Sequence, residues 1–194
     1  MRIIAGIYKG RRLETLEGMR VRPTSDRLRE TLFNIIAPRI EGARFADICA
    51  GSGAIGIEAL SRGAREAIFV ERARAALRAL RRNLEELELE ARARVVEADL
   101  GRGLGPLARA LGAFGLVLAD PPYEGGWQER LLRDPALPAL VEPDGVLVIE
   151  RSARAQPEAP PAPLRLRDTK RYGETAFDWW EFAAEPATSG EAQA

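Results

Sequence analysis

From Arg44 onward the chain alternates short apolar runs with segments whose apolar residues recur at helical spacing, and this alternation restricts its fold more than any other feature. The runs predict strands near Phe45 to Cys49, Glu66 to Val70, Arg94 to Glu97, Phe114 to Ala119 and Val146 to Glu150. Helices are expected over Ala54 to Ser61, ending at Gly63, over Ala73 to about Leu87 with Leu77, Leu80, Leu84 and Leu87 on one face, and from Trp127 to about Leu140. Strand-helix-strand repeats imply an α/β fold built on a parallel sheet. The segment from Asp99 to Leu111 carries no clear pattern. The proline-rich stretch from Ala155 to Pro163 has no core-forming content and reads as a surface connection. After it, Leu164 to Tyr172 and Thr175 to Ala183 read as two strands joined through Gly173 and Glu174.

Ahead of the alternating part, Arg2 to Leu16 reads as a short hairpin turning through Lys9-Gly10-Arg11-Arg12. A helix follows, capped by Thr24 or Ser25, marked by Leu28, Leu32, Ile35 and Ile36 and closed by Pro38. The whole is expected to be one domain over residues 1–184, with a basic extension over 1–40, a Rossmann-like core over 41–184 and a frayed, disordered tail over 185–194.

Composition narrows the chemistry. With no histidine in 194 residues, histidine-based catalysis and most transition-metal sites are excluded, and no metal is expected. The single cysteine, Cys49, has no partner for an internal disulfide. No run of eighteen apolar residues appears and the start lacks the hydrophobic stretch of a signal peptide, so a cytoplasmic protein away from the membrane is expected. Net charge is zero, yet residues 1–29 carry eight basic side chains against Glu14, Glu17 and Asp26. Such a basic arm on a slightly acidic body can grip a phosphate backbone locally, and it is also what a solvated face looks like.

Two stretches carry function. Asp47-Ile48-Cys49-Ala50-Gly51-Ser52-Gly53-Ala54-Ile55-Gly56 lies between the first parallel strand and its helix, where glycines let backbone approach a ligand. Glu71 ends the next strand, placed to hold the hydroxyls of a ribose. This spacing satisfies the dinucleotide pattern as well as that of a methyl donor. The second stretch, Asp120-Pro121-Pro122-Tyr123, follows the fourth apolar run, at the sheet edge where open α/β folds bind ligands. Its prolines stiffen the turn and leave carbonyls free to accept. Asp120 and the Pro121 carbonyl can take both hydrogens of a planar amine while Tyr123 stacks on its ring.

Asp-Pro-Pro-Tyr resembles the amino-methyltransferase motif. Asp47, Asp99 after the third strand and this motif after the fourth match the order of class I S-adenosylmethionine-dependent methyltransferases, whose fold is a Rossmann-like, seven-stranded, mostly parallel sheet with an antiparallel edge. Arg2-Ile3-Ile4-Ala5-Gly6 with Lys9-Gly10-Arg11, and Arg22-Pro23-Thr24 through Asn34, add a resemblance to the RsmD family of bacterial ribosomal RNA methyltransferases, covering Arg2 to about Phe182. It implies methyl transfer from S-adenosyl-L-methionine to N2 of a guanine in 16S, small-subunit rRNA, free or within a subunit; the sequence is silent on oligomeric state, and a monomer is the expectation. It also implies that Asp47, Gly51, Ser52 and Gly53 follow the methionine part of the cofactor, Glu71 its ribose, and Asp99 with Leu100 its adenine. Asp120, Pro121 and Tyr123 would hold the guanine, and Lys9, Arg11, Arg12, Arg22, Thr24, Arg27 and Arg29 would face the RNA. A DNA adenine-N6 or cytosine-N4 methyltransferase, a glutamine methyltransferase, and a non-catalytic RNA-binding assembly factor on the same fold stay open as alternatives.

Overall fold

The computed structural model of the chain describes residues 1–15, 26–157 and 163–182. Their centre is one seven-stranded sheet in the order β3-β2-β1-β4-β5-β7-β6. The strands are β1 (Arg44–Ile48), β2 (Glu66–Glu71), β3 (Ala93–Glu97), β4 (Phe114–Ala119), β5 (Val141–Ser152), β6 (Leu164–Tyr172) and β7 (Thr175–Phe182). The first five run parallel; β7 lies antiparallel to both β5 and β6, forming the expected edge. Strand order reverses between β1 and β4, and that switch point opens the crevice in which such sheets bind ligands.

Two apolar layers cover the sheet. On one face, α1 (Asp26–Ile36), α2 (Ala54–Ser61) and α3 (Arg74–Glu86) bury Leu32, Phe33, Ile57, Leu60, Leu80 and Leu84 against Phe45, Phe69, Leu118 and Phe177. On the other, α4 (Gly105–Leu111) and α5 (Trp127–Leu132) pack Leu107, Leu111, Leu131 and Leu132 on Ile48, Val117, Ile149 and Trp180. Ile3 and Leu13 of the N-terminal segment belong to the first layer, alongside α1.

The N-terminal hairpin forms as a short one: a single antiparallel bridge, Arg2 to Arg12, is flanked by bonds from Ile3 N–H to the Arg11 carbonyl at 3.0 Å, Gly10 N–H to the Ile3 carbonyl at 2.8 Å and Leu13 N–H to the Met1 carbonyl at 3.0 Å, and further polar groups of the segment go to α2. Ile4 and Ala5 N–H donate to the Glu58 carboxylate at 2.8 and 2.9 Å, and Ile7 N–H donates to the Ser61 carbonyl at 2.9 Å. Gly6 lies against that same carbonyl, which a Cβ would meet at 1.8 Å, so the close approach itself requires glycine. Several expectations need correction. The helix expected to reach Leu140 stops at Leu132. Pro135 cannot donate a helical hydrogen bond, and Asp134 turns the chain by accepting from Ala136 N–H at 2.9 Å and Leu104 N–H at 2.7 Å. β5 begins at Val141, five residues before the expected start, through an irregularity opposite Phe114 and Leu116 that keeps Val141 paired. The unassigned stretch holds a 3-10 turn, Leu100–Arg102, and α4. Thr24 and Ser25, the expected caps of α1, and the tail over 185–194 lie outside the described residues.

Candidate active site

β4 and β1 stay paired up to Ala119 and Ile48, and Asp120 N–H still donates to the Ile48 carbonyl at 3.1 Å. Pro121 and Pro122 then supply no donor, so the ladder ends and the strands part. The cleft so formed has a volume of about 720 Å³. One wall is Cys49, Val70, Glu71, Ala98 and Leu100; Asp120 to Tyr123, Trp127 and Glu150 make the other.

The glycine segment is shaped by what it passes. Cys49 takes φ 65° and both Cys49 and Ala50 N–H donate to the Val70 carbonyl, at 2.9 and 3.1 Å, reversing the chain at the end of β1. Gly51 N–H donates to Glu71 Oε2 at 2.9 Å, while Glu71 Oε1 accepts from Arg72 and Ala73 N–H at 2.8 and 2.7 Å, which holds this carboxylate at the cleft wall. Gly53 and Gly56 are also required by packing, since a Cβ on either would come within 2.3 Å of Leu80 or Phe69, and their bareness lets α2 press onto α3 and β2. Asp47 is 2% exposed and stands behind the loop, where its Oδ2 accepts from Gly56 N–H at 2.8 Å. Burial drives its carboxyl up to about 7, against that hydrogen bond, and the charges of Asp120 and Glu71 push the same way as burial.

On the opposite wall, Asp120 opens onto the cleft, yet the protein packed around its base lifts its carboxyl to about 6. The Tyr123 hydroxyl donates to Glu150 Oε1 at 2.9 Å and lies 3.3 Å from Thr175 Oγ1, which fixes the ring over the cleft with 39% of the residue exposed. Burial raises that hydroxyl to about 12, so it stays a donor at neutral pH.

The structure sorts the expected residues. Asp120, Pro121, Tyr123, Glu71 and Leu100 meet at one cleft. Gly51, Ser52 and Gly53 form the loop behind Cys49; the Ser52 carbonyl accepts from Asn83 at 2.9 Å. Asp99 stands outside the lining, accepting from Gly101 N–H at 2.9 Å and pairing with Arg72 at 3.2 Å, and the Gly101 bond above all holds its carboxyl below the usual range. Lys9, Arg12 and Arg27 are exposed, and Arg11 is exposed while donating to the Glu86 carbonyl at 2.8 Å. Arg29 is a correction. It is 1% exposed, directed inward to the Arg2 carbonyl, Asp26 and Glu58, and burial lowers its pKa, so no phosphate can reach it. Arg22 and Thr24 lie outside the described residues. Sequence reading missed Glu150, Thr175 and Trp127. Glu150 follows the apolar run Val146 to Ile149 as Asp120 follows β4, a signal that was available; Thr175 reaches the site only through the β5-β7 pairing.

No cluster of histidine, cysteine, aspartate and glutamate able to hold a metal ion occurs among the described residues, and none of their helices is long and apolar enough to cross a membrane. The family described as "Conserved hypothetical protein 95" matches residues 1–181. The chain is 37% identical over 175 residues to "Putative rRNA methyltransferase YlbH" of Bacillus subtilis, covering 90% of this chain and 95% of that one. It is 36% identical over 191 residues to "Ribosomal RNA small subunit methyltransferase D" of Escherichia coli K12, covering 95% and 91%. Among solved structures, "Putative methyltransferase yhhF from Escherichia coli" superposes with a TM-score of 0.81 at 34% identity, over 95% of this chain and 99% of that one. With a cleft built from the Asp-Pro-Pro-Tyr loop and the glycine segment, and a match that runs nearly end to end, this chain belongs to the RsmD family, the one described as "Conserved hypothetical protein 95".

Proposed function

We propose that this chain transfers a methyl group from S-adenosyl-L-methionine to the exocyclic N2 amine of a guanine in small-subunit rRNA. One observation carries the reading: the Asp-Pro-Pro-Tyr loop and the Glu71 carboxylate face each other across a single cleft large enough for a cofactor and a base together. The relatives' printed names, rRNA methyltransferase and small-subunit methyltransferase D, supply the substrate class.

The residues present fit that cofactor. Glu71 offers a carboxylate at the strand end for ribose hydroxyls, and Val70, Ala98 and Leu100 offer an apolar slot for a flat ring. A Cβ at Gly51 would meet nothing within 4 Å, so the backbone there borders open space. Glu71, Asp120 and Glu150 line the cleft with carboxyl groups, which suits a cationic sulfonium. When bound, the cofactor supplies a methyl group on positively charged sulfur.

The chain's own work is orientation. An aromatic amine is a weak nucleophile because its lone pair is drawn into the ring. Asp120 and the Pro121 carbonyl accept its two hydrogens, which aims the nitrogen lone pair toward the glycine-loop side of the cleft. Tyr123, pinned by Glu150 and Thr175, packs on the base and limits its rotation. Placing two reactants in line contributes up to about 7–11 kcal/mol in favourable intramolecular cases. As the new N–C bond forms, the methyl would part from sulfur, which would keep the bonding pair and leave as a neutral thioether, and one N2 proton leaves to Asp120 or to water. Unstacking the guanine costs a few kcal/mol, and exposed cations such as Lys9, Arg12 and Arg27 offset part of it through phosphate contacts.

The test is tritium transfer from labelled S-adenosylmethionine to unmethylated small-subunit particles, naked rRNA, duplex DNA and a protein extract, with nucleoside analysis of the product. Label in N2-methylguanosine of the rRNA is expected. Label confined to DNA or protein would overturn the substrate, and cofactor binding with no transfer to any of them would overturn the activity.

A further inference from the structure

The outer face of α3 carries a charge pattern that helix stability does not explain. Arg74, Arg78 and Arg81 are exposed and fall within about 60° of arc, opposite the buried face of Ala76, Leu80 and Asn83. Arg74 opens the helix, whose first turn has no acidic residue, and the last turn holds Glu85 and Glu86 with no basic one. The helix's own first and last turns are thus charged against its dipole, and the countercharges at its ends come from outside it, Glu71 at the start and Arg11 at the finish. Arg74 and Arg78 also form a like-charge pair at i,i+4, which further disfavours the helix. Among the described residues no acid forms an ion pair with Arg74, Arg78 or Arg81, whereas the neighbouring Arg82 pairs with Glu14 at 3.1 Å.

The stripe adjoins the site at one end and the basic N-terminal segment at the other. It starts directly after Glu71, Arg72 and Ala73, which line the cleft. At its far end Arg11 donates to the Glu86 carbonyl at 2.8 Å, which lays the basic N-terminal segment alongside. Resting on the RNA reading above, we infer that this arginine ridge is a phosphate track along which the RNA backbone lies on its way to the cleft. A compact anion needs cations that converge on one point. Arginines about one turn apart on a rigid helix instead spread charge along roughly 10 Å of axis, and a strand of repeated phosphates is the partner that matches a row. Guanidinium groups stay charged and present a planar fork of donors to phosphate oxygens.

The test is the triple variant Arg74→Gln, Arg78→Gln, Arg81→Gln, since glutamine keeps helix propensity and removes the repulsion. Binding to small-subunit rRNA is measured across a salt series, with cofactor affinity and thermal stability measured on the same preparations. The expected result is at least a tenfold loss of RNA affinity at low salt and a fall of about 2 to 3 in the slope of log K against log salt. Cofactor affinity should be unchanged and thermal stability equal or higher. Unchanged RNA affinity and slope would overturn the ridge, and so would a loss of binding seen only with protein-containing particles, which would make the face a protein contact. If the wild type transfers no methyl to rRNA while the variant still loses RNA binding, the ridge stands and the activity reading falls. A wild type that methylates beside a variant that binds equally well sinks the ridge alone.

Discussion

At the residue scale, two carboxyls set the pH behaviour. Asp120 is useful as a carboxylate, and desolvation by the protein packed around its base lifts its pKa to about 6, above the ordinary 3.8. kcat/KM should therefore rise about tenfold per pH unit below 6 and level off above 7. Asp120→Asn should cost at least a hundredfold in kcat, leave cofactor affinity nearly intact and abolish that acid limb. The same limb persisting in the variant would assign the titration to another group. Asp47 bears on stability. Its folded pKa, about 7, exceeds the ordinary value of 3.8, so the protonated folded form is favoured: its contribution is fully present below about 3.8 and is lost as pH rises through 7. The difference corresponds to at most about 4 kcal/mol. The ligand-free protein should lose stability between pH 4 and pH 8, and Asp47→Asn should flatten that slope in denaturant unfolding. An equally steep slope in the variant would remove Asp47 as its source.

At the element scale, the glycine loop is held from behind by a side chain of α3. Asn83, 1% exposed, accepts from Glu14 N–H at 2.7 Å and donates to the Glu14 and Ser52 carbonyls at 3.0 and 2.9 Å. It joins the N-terminal segment to the glycine loop as a strand neighbour would. Asn83→Ala strips partners from buried backbone groups, a loss of about 1–3 kcal/mol in stability. It should also weaken cofactor binding measurably by calorimetry; unaltered affinity would mean that the glycines and Glu71 hold the loop without it. The Asp-Pro-Pro-Tyr loop has its own anchor on the other face of the sheet. Gln128 at the start of α5, Arg151 of β5 and Thr169 of β6 all donate to the buried Asp178 of β7, at 2.6 to 3.0 Å. The helix that follows Tyr123 is thereby tied to the antiparallel edge.

At the scale of the whole molecule, the N-terminal segment is bound to the core by a buried charge cluster. Glu58 of α2 is 0% exposed and receives Ile4 and Ala5 N–H together with Arg62 at 2.7 Å, while Arg29 of α1 stands 3.8 Å away. Glu58→Ala would leave Arg29 buried with one counter-charge fewer and orphan two backbone donors, at a cost of about 3–5 kcal/mol in chemical unfolding. A cost below about 1 kcal/mol would show that the N-terminal segment is held by Ile3 and Leu13 instead. This cluster also marks how far sequence reading reaches. Apolar alternation and turn chemistry act over a few residues, so the parallel sheet, the glycine loop, Glu71 at a strand end and Asp120 before two prolines were legible in the chain itself. Proline and Asx chemistry at Asp134 and Pro135 was local too, and outweighed the apolar spacing that suggested a longer helix. Other features depend on contacts between segments far apart. Arg29 has the sequence context of a solvated cation and is buried only because Glu58 and the Arg2 carbonyl converge on it. Thr175 reaches Tyr123 because β7 inserts between β5 and β6. Strand identity, loop chemistry and candidate carboxylates were determined by the sequence, since short-range sterics and hydrogen bonding set them. Which charges are buried, which carboxyls are crowded upward in pKa and which side of a helix faces the cleft were decided by tertiary structure, because desolvation and packing exist only once distant segments meet.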